Sequence, residues 1–259
     1  MKVAITGKGG VGKTTLSSSL ARLWADEGRH VIAIDADPDA NLAIALGADA
    51  ATAASCTPLS EMDDLIEERT GARPGRGGMF RLNPDVSDVV ETCGTLINGV
   101  TMLKMGTVER GGSGCMCSEG VFLKAFMHDL LVERDDVAIL DMEAGIEHLG
   151  RGTAESVDAF IVVVEPGARS VQTAQQVRSL AADIGIKEVL VVGNKVRDES
   201  DANFLRDSFE DAHFLGFLPD SDSVRLADRE GRSAWGADTE FTDAIRAIAS
   251  ELANRTNPA

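Results

Sequence analysis

Six short runs of apolar residues, rich in valine and isoleucine, recur along the 259-residue chain. They span residues 2–6, 30–36, 137–142, 159–165, 188–194 and 212–218. Both faces of each run are apolar, which is typical of parallel strands that helices cover on both sides. Between them, apolar residues at helical spacing predict helices near 13–27, 118–134, 170–184, 199–210 and 239–254. The alternation predicts an α/β fold with a doubly wound, mostly parallel sheet.

The segment from about 48 to 117 interrupts this alternation. It contains a turn region rich in glycine and arginine at 71–78 and one possible strand over 94–106. Long insertions in compact domains are usually functional or mobile. We therefore expect a single domain over 1–259 with this insertion, which ends in a glycine-rich loop that carries a C-x-C pair, Cys115 and Cys117.

A phosphate-binding loop is predicted at residues 7–15, GKGGVGKTT, which fit the pattern G-x-x-x-x-G-K-S/T. The loop follows a predicted strand and precedes a predicted helix, as its mechanism requires. We expect Lys13 to reach the β- and γ-phosphates and Thr14 to bind Mg²⁺. Glycines let backbone N–H groups surround phosphate oxygens. The expected nucleotide-binding set of this loop is Gly7, Gly9, Gly10, Val11, Gly12, Lys13, Thr14 and Thr15.

The base is predicted to be adenine. In GNKVRD (193–198), a guanine site of the N-K-x-D type would need an acid at position 197, where Arg197 stands. Asn194 can still hydrogen-bond an adenine amino group through its amide. The sequence thus favours ATP and ADP.

Lys8 extends the loop to KGGVGKT, and with it the chain resembles the deviant Walker ATPases, the MinD-like and ParA-like proteins among them. The resemblance implies that Lys8 reaches across a homodimer to the partner's nucleotide. It also implies that Asp37 positions the attacking water, that Asp141 is the Walker B carboxylate, and that the Gly145 N–H senses the γ-phosphate. We expect only capping or solvent roles for Asp35 and Glu143.

Two thiolates cannot complete a four-coordinate metal site, but a two-fold dimer supplies Cys115 and Cys117 twice. Four sulfurs suit Zn²⁺, Ni²⁺ or an Fe–S cluster. Cys56 and Cys93 match no ligand spacing.

The runs 105–119 and 140–153 resemble the CooC-type accessory ATPases of carbon monoxide dehydrogenase maturation, and this resemblance covers essentially the whole chain. It implies an ATPase that delivers nickel to that enzyme and places the metal pair on Cys115 and Cys117. In the same runs we expect Met116 to fill the loop and His148 to be exposed.

Net charge and composition argue against several partners. A formal charge of −17 repels nucleic acid and anionic lipid, and no apolar run approaches the ~20 residues that span a bilayer. With a strand at the N-terminus, we expect a cytoplasmic protein without a signal peptide. Two alternatives remain open: an Fe–S reductase component like the nitrogenase iron protein, and a positioning ATPase that acts on DNA or membrane.

Overall fold

A single eight-stranded sheet dominates the computed structural model, which describes residues 1–76, 79–106, 117–145, 153, 156–186, 188–209 and 213–256. The strand order is β3-β4-β2-β5-β1-β6-β7-β8, and every neighbouring pair is parallel except β3–β4. This confirms the predicted doubly wound, mostly parallel α/β fold. The strands are β1 Lys2–Gly7, β2 Val31–Ala36, β3 Thr95–Ile97, β4 Val100–Lys104, β5 Val137–Met142, β6 Ala159–Val164, β7 Val189–Val196 and β8 His213–Pro219.

Helices cover both faces of the sheet. Those in the described ranges are α1 Lys13–Asp26, α2 Leu42–Ala45, α3 Ala50–Ser55, α4 Asp63–Thr70, α5 Val89–Cys93, α6 Ser118–His128, α7 Ala168–Asp183, α8 Glu199–Ser208, α9 Asp222–Arg229 and α10 Thr239–Thr256. Gly28 and Gly185 have φ values of 81° and 93°, so each follows the end of its helix in the left-handed conformation.

The core consists of two apolar layers, one on each side of the sheet. Val3 and Ile5 of β1 pack in the layer that contains α1 and α10, whereas Ala4 packs in the layer that contains α6 and α7. Successive side chains of a strand point to opposite faces, so a strand that is apolar throughout contributes to both layers.

The predicted single strand over 94–106 is wrong, because the chain turns back within it. Asn98 and Gly99 have φ values of 47° and 84°, which is the conformation of an Asn-Gly hairpin turn. The turn separates β3 from β4, and β4 pairs with β2 in parallel. Part of the predicted insertion therefore extends the main sheet.

The helix predicted over 118–134 is also shorter than expected. The α-helix ends at His128, and Asp129–Glu133 continue it as one π-helical turn. The chain then enters β5, which carries the predicted Walker B residue. Across the described residues, no helix is both long and apolar enough to cross a membrane.

Candidate functional site

A cleft of about 660 Å³ opens at the carboxyl ends of the central strands, where ligands bind in open α/β sheets. The segment Gly7–Gly12 between β1 and α1 forms its floor. A Cβ atom on Gly7 would lie 2.4 Å from the Val163 carbonyl oxygen, and one on Gly12 would lie 2.1 Å from Asn194 Nδ2. Since Gly10 and Gly12 also have φ values of 81° and 97°, this loop conformation requires glycine.

The two middle glycines face open space. A Cβ atom on Gly9 or Gly10 would meet no atom within 4 Å, and both residues line the cleft together with Thr14 and Thr15. A ligand can therefore approach the backbone closely at these positions. The start of the 14-residue helix α1 adds a favourable potential for anions.

Lys13, the predicted phosphate-binding lysine, and Asp37, the predicted water-positioning carboxylate, both line the cleft. The Lys13 side chain is only 7% exposed, and its Nζ lies 3.6 Å from Asp37 Oδ2. The ammonium is thus held near the loop with a carboxylate as its only ion-pair partner within the described residues. Their roles in catalysis stay predictions.

Asp141 is the penultimate residue of β5 and is 1% exposed. Its Oδ1 accepts a hydrogen bond of 3.0 Å from Ser17 Oγ, whereas Oδ2 is buried and has no partner in the described part of the chain. Burial raises the pKa of Asp141 to about 7, and the nearby Thr14 hydroxyl partly opposes this rise. That hydroxyl makes no hydrogen bond of ordinary geometry to Oδ2. A hard cation that prefers oxygen ligands would satisfy this atom. Asp141 and Thr14 therefore fit the predicted Mg²⁺ site.

Asp35 has a larger structural role than the sequence suggested. It is fully buried on β2 beside Asp141, and its carboxylate accepts hydrogen bonds from the backbone N–H groups of Leu42 (2.9 Å) and Asp37 (3.3 Å). Burial raises its pKa to about 6. Its carbonyl oxygen accepts a bond of 2.8 Å from the Met105 N–H. Asp35 thus joins the Asp37 loop to the end of β4.

Thr6 was not identified from the sequence, yet it holds the loop after β5. Its hydroxyl donates a 2.5 Å hydrogen bond to the Glu143 carbonyl and accepts a longer one, 3.4 Å, from the Gly145 N–H. The Gly145 N–H also donates to the Glu143 carbonyl at 2.8 Å. The predicted γ-phosphate sensor is therefore engaged within its own loop here, and its sensing role stays a prediction.

Asn194 contacts the phosphate loop directly. Its Nδ2 donates a 2.7 Å hydrogen bond to the Val11 carbonyl, and its Oδ1 accepts from the Lys195 N–H at 2.8 Å. The sequence had suggested only adenine recognition for this side chain. Because one amide hydrogen is still unused and Asn194 lines the cleft, recognition of adenine stays a prediction.

Lys8 is half-buried, and its ammonium has no hydrogen-bond or ion-pair partner among the residues that the structure describes. A cation without a partner among these residues is available to an anion from elsewhere. The predicted contact across a dimer stays a prediction.

The predicted metal pair is only partly described. Cys117 is half-buried and caps α6, where its Sγ accepts a 3.4 Å hydrogen bond from the Gly120 N–H. Cys115, Met116 and His148 lie outside the described residues. No group of three or more potential metal ligands occurs in the part of the chain that the structure covers.

The other two cysteines, Cys56 and Cys93, lie within the described residues. Cys56 is buried and its thiol donates to the Thr52 carbonyl, while Cys93 at the end of α5 is half-buried beside Thr92. That neither is a metal ligand stays a prediction.

Comparison with known proteins agrees with this geometry. Residues 2–234 match the family described as the CobQ/CobB/MinD/ParA nucleotide binding domain. The chain is 43% identical over 258 residues to the carbon monoxide dehydrogenase accessory protein CooC of Rhodospirillum rubrum, covering 100% of this chain and 98% of that protein. It is 46% identical over 228 residues to an uncharacterized ATP-binding protein of Methanocaldococcus jannaschii, covering 86% and 87%.

Solved structures share the fold at lower sequence identity. The MinC:MinD cell division complex of Aquifex aeolicus aligns with a TM-score of 0.70 at 20% identity, covering 100% of this chain and 98% of that one. The septum site-determining protein MinD of Pyrococcus horikoshii, solved with Mg-ADP, aligns with a TM-score of 0.64 at 21% identity, covering 100% and 99%. The chain belongs to the CobQ/CobB/MinD/ParA family and is a CooC-like, ATP-binding P-loop ATPase.

Proposed function

We propose that this ATPase is a metallochaperone that binds nickel and delivers it during maturation of a carbon monoxide dehydrogenase. The observation that carries the proposal is the 43% identity to CooC over the whole chain, in a sequence that has a C-x-C pair directly before α6. Nickel is the cargo in this reading, and Cys115 and Cys117 are its ligands, contributed by both chains of a homodimer.

The nucleotide chemistry follows from the cleft. Gly7–Gly12 and Lys13 would hold the phosphates of ATP, and Thr14 and Asp141 would hold Mg²⁺, which neutralises charge between the phosphates. Asp37, 3.6 Å from Lys13, would orient water for attack on the γ-phosphate. Lys8 of the partner chain would stabilise the charge that develops on the transferred phosphoryl group.

Two contacts support communication between nucleotide and metal. The Met105 N–H donates to the Asp35 carbonyl, and Asp35 in turn holds the Asp37 N–H. In the sequence, Met105 precedes the C-x-C pair, and Cys117 caps α6. A shift of the Asp37 loop on ATP binding would therefore act on Met105, at the start of the segment that carries this pair. The dimer's different affinity for metal in its ATP and ADP states would drive release.

The decisive experiment measures nickel bound to anaerobically purified protein. Titration with Ni²⁺ in the presence of ADP or a non-hydrolysable ATP analogue should give one ion per two chains, with affinity that depends on the nucleotide. The double variant Cys115→Ser/Cys117→Ser should lose this binding and the ability to mature the apo-dehydrogenase, yet keep basal ATPase activity.

The chain offers a matched control in its other two cysteines. Cys56→Ser/Cys93→Ser removes the same number of thiols and should keep both nickel stoichiometry and maturation. One tightly bound ion per two chains in the Cys115→Ser/Cys117→Ser variant would refute the thiol site. A bound iron–sulfur cluster with its visible absorption would instead favour the reductase alternative.

A further inference from the structure

The end of β7 has an irregularity next to the phosphate loop. In the pairing of β7 with β8, Gly193 lies opposite Phe217 and Val196 opposite Pro219. Asn194 and Lys195 therefore stand against the single residue Leu218, which is the arrangement of a β-bulge. Bulges next to active sites commonly re-aim a side chain.

Lys195 adopts the left-handed conformation within this bulge, with φ of 57°. It is one of two non-glycine residues with positive φ in the part of the chain that is described, and the other forms the hairpin turn at Asn98. A lysine gains nothing locally from this conformation, which is sparsely populated by residues with a Cβ atom. Such a conformation persists when the surrounding structure requires it, and it often marks a functional site.

The conformation allows two successive side chains to reach one loop. In a regular strand, Asn194 and Lys195 would point to opposite faces. Here Asn194 donates to the Val11 carbonyl at 2.7 Å, and Lys195 Nζ donates to the Gly10 carbonyl at 2.6 Å. The Lys195 ammonium also donates a 2.9 Å hydrogen bond to Oε2 of Glu165, the residue that follows β6. Residues of β7 and of the segment just after β6 thus contribute to the position of the loop.

We propose that Lys195, oriented by Glu165, is a positioning residue for ATP binding that fixes the phosphate loop through the Gly10 carbonyl. In a planar trans peptide, the carbonyl of one residue and the N–H of the next point in opposite directions. Bonds to the carbonyls of Gly10 and Val11 therefore set the directions of the Val11 and Gly12 N–H groups. Those groups belong to the set predicted to surround phosphate oxygens.

The test uses variants that separate the ammonium from the backbone conformation. Asparagine tolerates the left-handed region, so Lys195→Asn should keep the bulge and lose the bonds of the ammonium to Gly10 and Glu165. We expect its KM for ATP to rise about tenfold, with kcat changed less than about threefold. The lost hydrogen bond involves a charged group and acts equally in the ground and transition states, so its loss weakens ATP binding and leaves the chemical step nearly unchanged. The melting temperature should stay near that of the wild type. Lys195→Arg should restore most of the affinity.

Glu165→Gln distinguishes positioning from simple charge attraction. If Glu165 orients the ammonium, removal of its charge should raise KM. If Lys195 acts only as a positive charge near the phosphates, the same variant should lower KM, because a nearby anion is gone. A lower KM in Glu165→Gln, or wild-type KM and kcat in Lys195→Asn, would overturn the proposal. A third outcome would also overturn the proposal. If the melting temperature fell in Lys195→Asn and recovered in Lys195→Arg while KM stayed unchanged in both, Lys195 and Glu165 would have only a structural role.

Discussion

Charged side chains in the cleft differ in whether residues of the same chain already provide them with hydrogen-bond or ion-pair partners. Lys13 has Asp37 as a partner, Asp35 accepts two backbone N–H groups, and Asp141 keeps one oxygen without a partner in the described residues. Lys8 has none in the same part of the chain. Among these side chains, the groups without a partner in the described residues are Asp141 Oδ2 and the Lys8 ammonium, and both are expected to act on ligands.

Replacement of Lys8 by alanine should therefore leave the fold unchanged and remove hydrolysis. No intrachain contact among the described residues is lost, so the melting temperature and the Kd for ADP should stay near the wild-type values. Loss of a cation supplied across the dimer should lower kcat by about a thousandfold or more. ATPase assays and size-exclusion chromatography with ATP would check this, and wild-type hydrolysis in Lys8→Ala would contradict the role across the dimer.

Asp37→Asn should separate ATP binding from hydrolysis. The amide cannot accept and orient water as the carboxylate does, while the phosphate contacts of the glycine loop remain. We expect ATP-dependent dimers with kcat reduced by about a hundredfold or more. Equilibrium binding of ATP measured beside single-turnover hydrolysis would show the separation. Failure to bind ATP would assign Asp37 a structural role through its contact with Lys13.

The buried carboxylates predict how the stability of the metal-free protein depends on pH. Burial raises the pKa of Asp141 to about 7 and that of Asp35 to about 6, whereas an unfolded aspartate titrates near about 4. Between these values the folded state holds protons that the unfolded state releases. The free energy of unfolding should therefore fall as the pH rises from about 4 to about 7, and change little from these groups above that.

Asp141→Asn should remove the larger part of this dependence, because the side chain stays neutral. Denaturation in the presence of a chelator should show a smaller loss between about pH 5 and about pH 8 than in the wild type. The variant should also lose the stabilisation that Mg²⁺ with ADP gives the wild type. Identical pH slopes for the two proteins would show that Asp141 is ionised in the folded state throughout.

At the scale of elements, helix α6 lies between the proposed metal pair and β5, which carries the predicted Walker B residue. Its N-cap is Cys117, whose sulfur accepts the Gly120 N–H at 3.4 Å. Serine is a strong N-cap and alanine a poor one. We expect Cys117→Ser to keep or raise the melting temperature and Cys117→Ala to lower it, although both lose nickel. Thermal unfolding of the two variants separates the cap from the metal site, and equal melting temperatures would show that the cap contributes nothing.

The sequence predicted elements well where one local pattern decides the structure. Apolar runs located the six long strands, and the loop motif located Gly7–Gly12. The hairpin was missed because the Asn98-Gly99 signal was read as part of one strand. The roles of Thr6, Asp35 and Lys195 could not be predicted, since their partners lie on other strands and depend on the sheet order. Asn194 was assigned to the base alone, because nothing local shows that Val11 lies beside it.

For the whole molecule, the net charge predicts the behaviour of the proposed dimer. Two chains with a formal charge of −17 each repel one another, and salt screens this repulsion over a Debye length of about 10 Å at 0.1 M. ATP-dependent association should therefore become faster as potassium chloride rises from about 0.05 to about 0.3 M. Stopped-flow light scattering would measure the rate. A rate that falls with salt would show that locally opposite charges steer the two chains together.

The bond between Met105 and Asp35 has a genetic consequence. It joins two main-chain atoms, so no side-chain substitution other than proline at position 105 deletes it, and an alanine scan of residues 104–106 would not reveal it. The connection between Met105, after β4, and the Asp37 loop can therefore persist while the side chains around it change. Chemical synthesis can reach it: an ester in place of the Met105 amide removes the donor and leaves every side chain as it is. Such a protein should hydrolyse ATP normally while its nickel affinity no longer responds to the nucleotide.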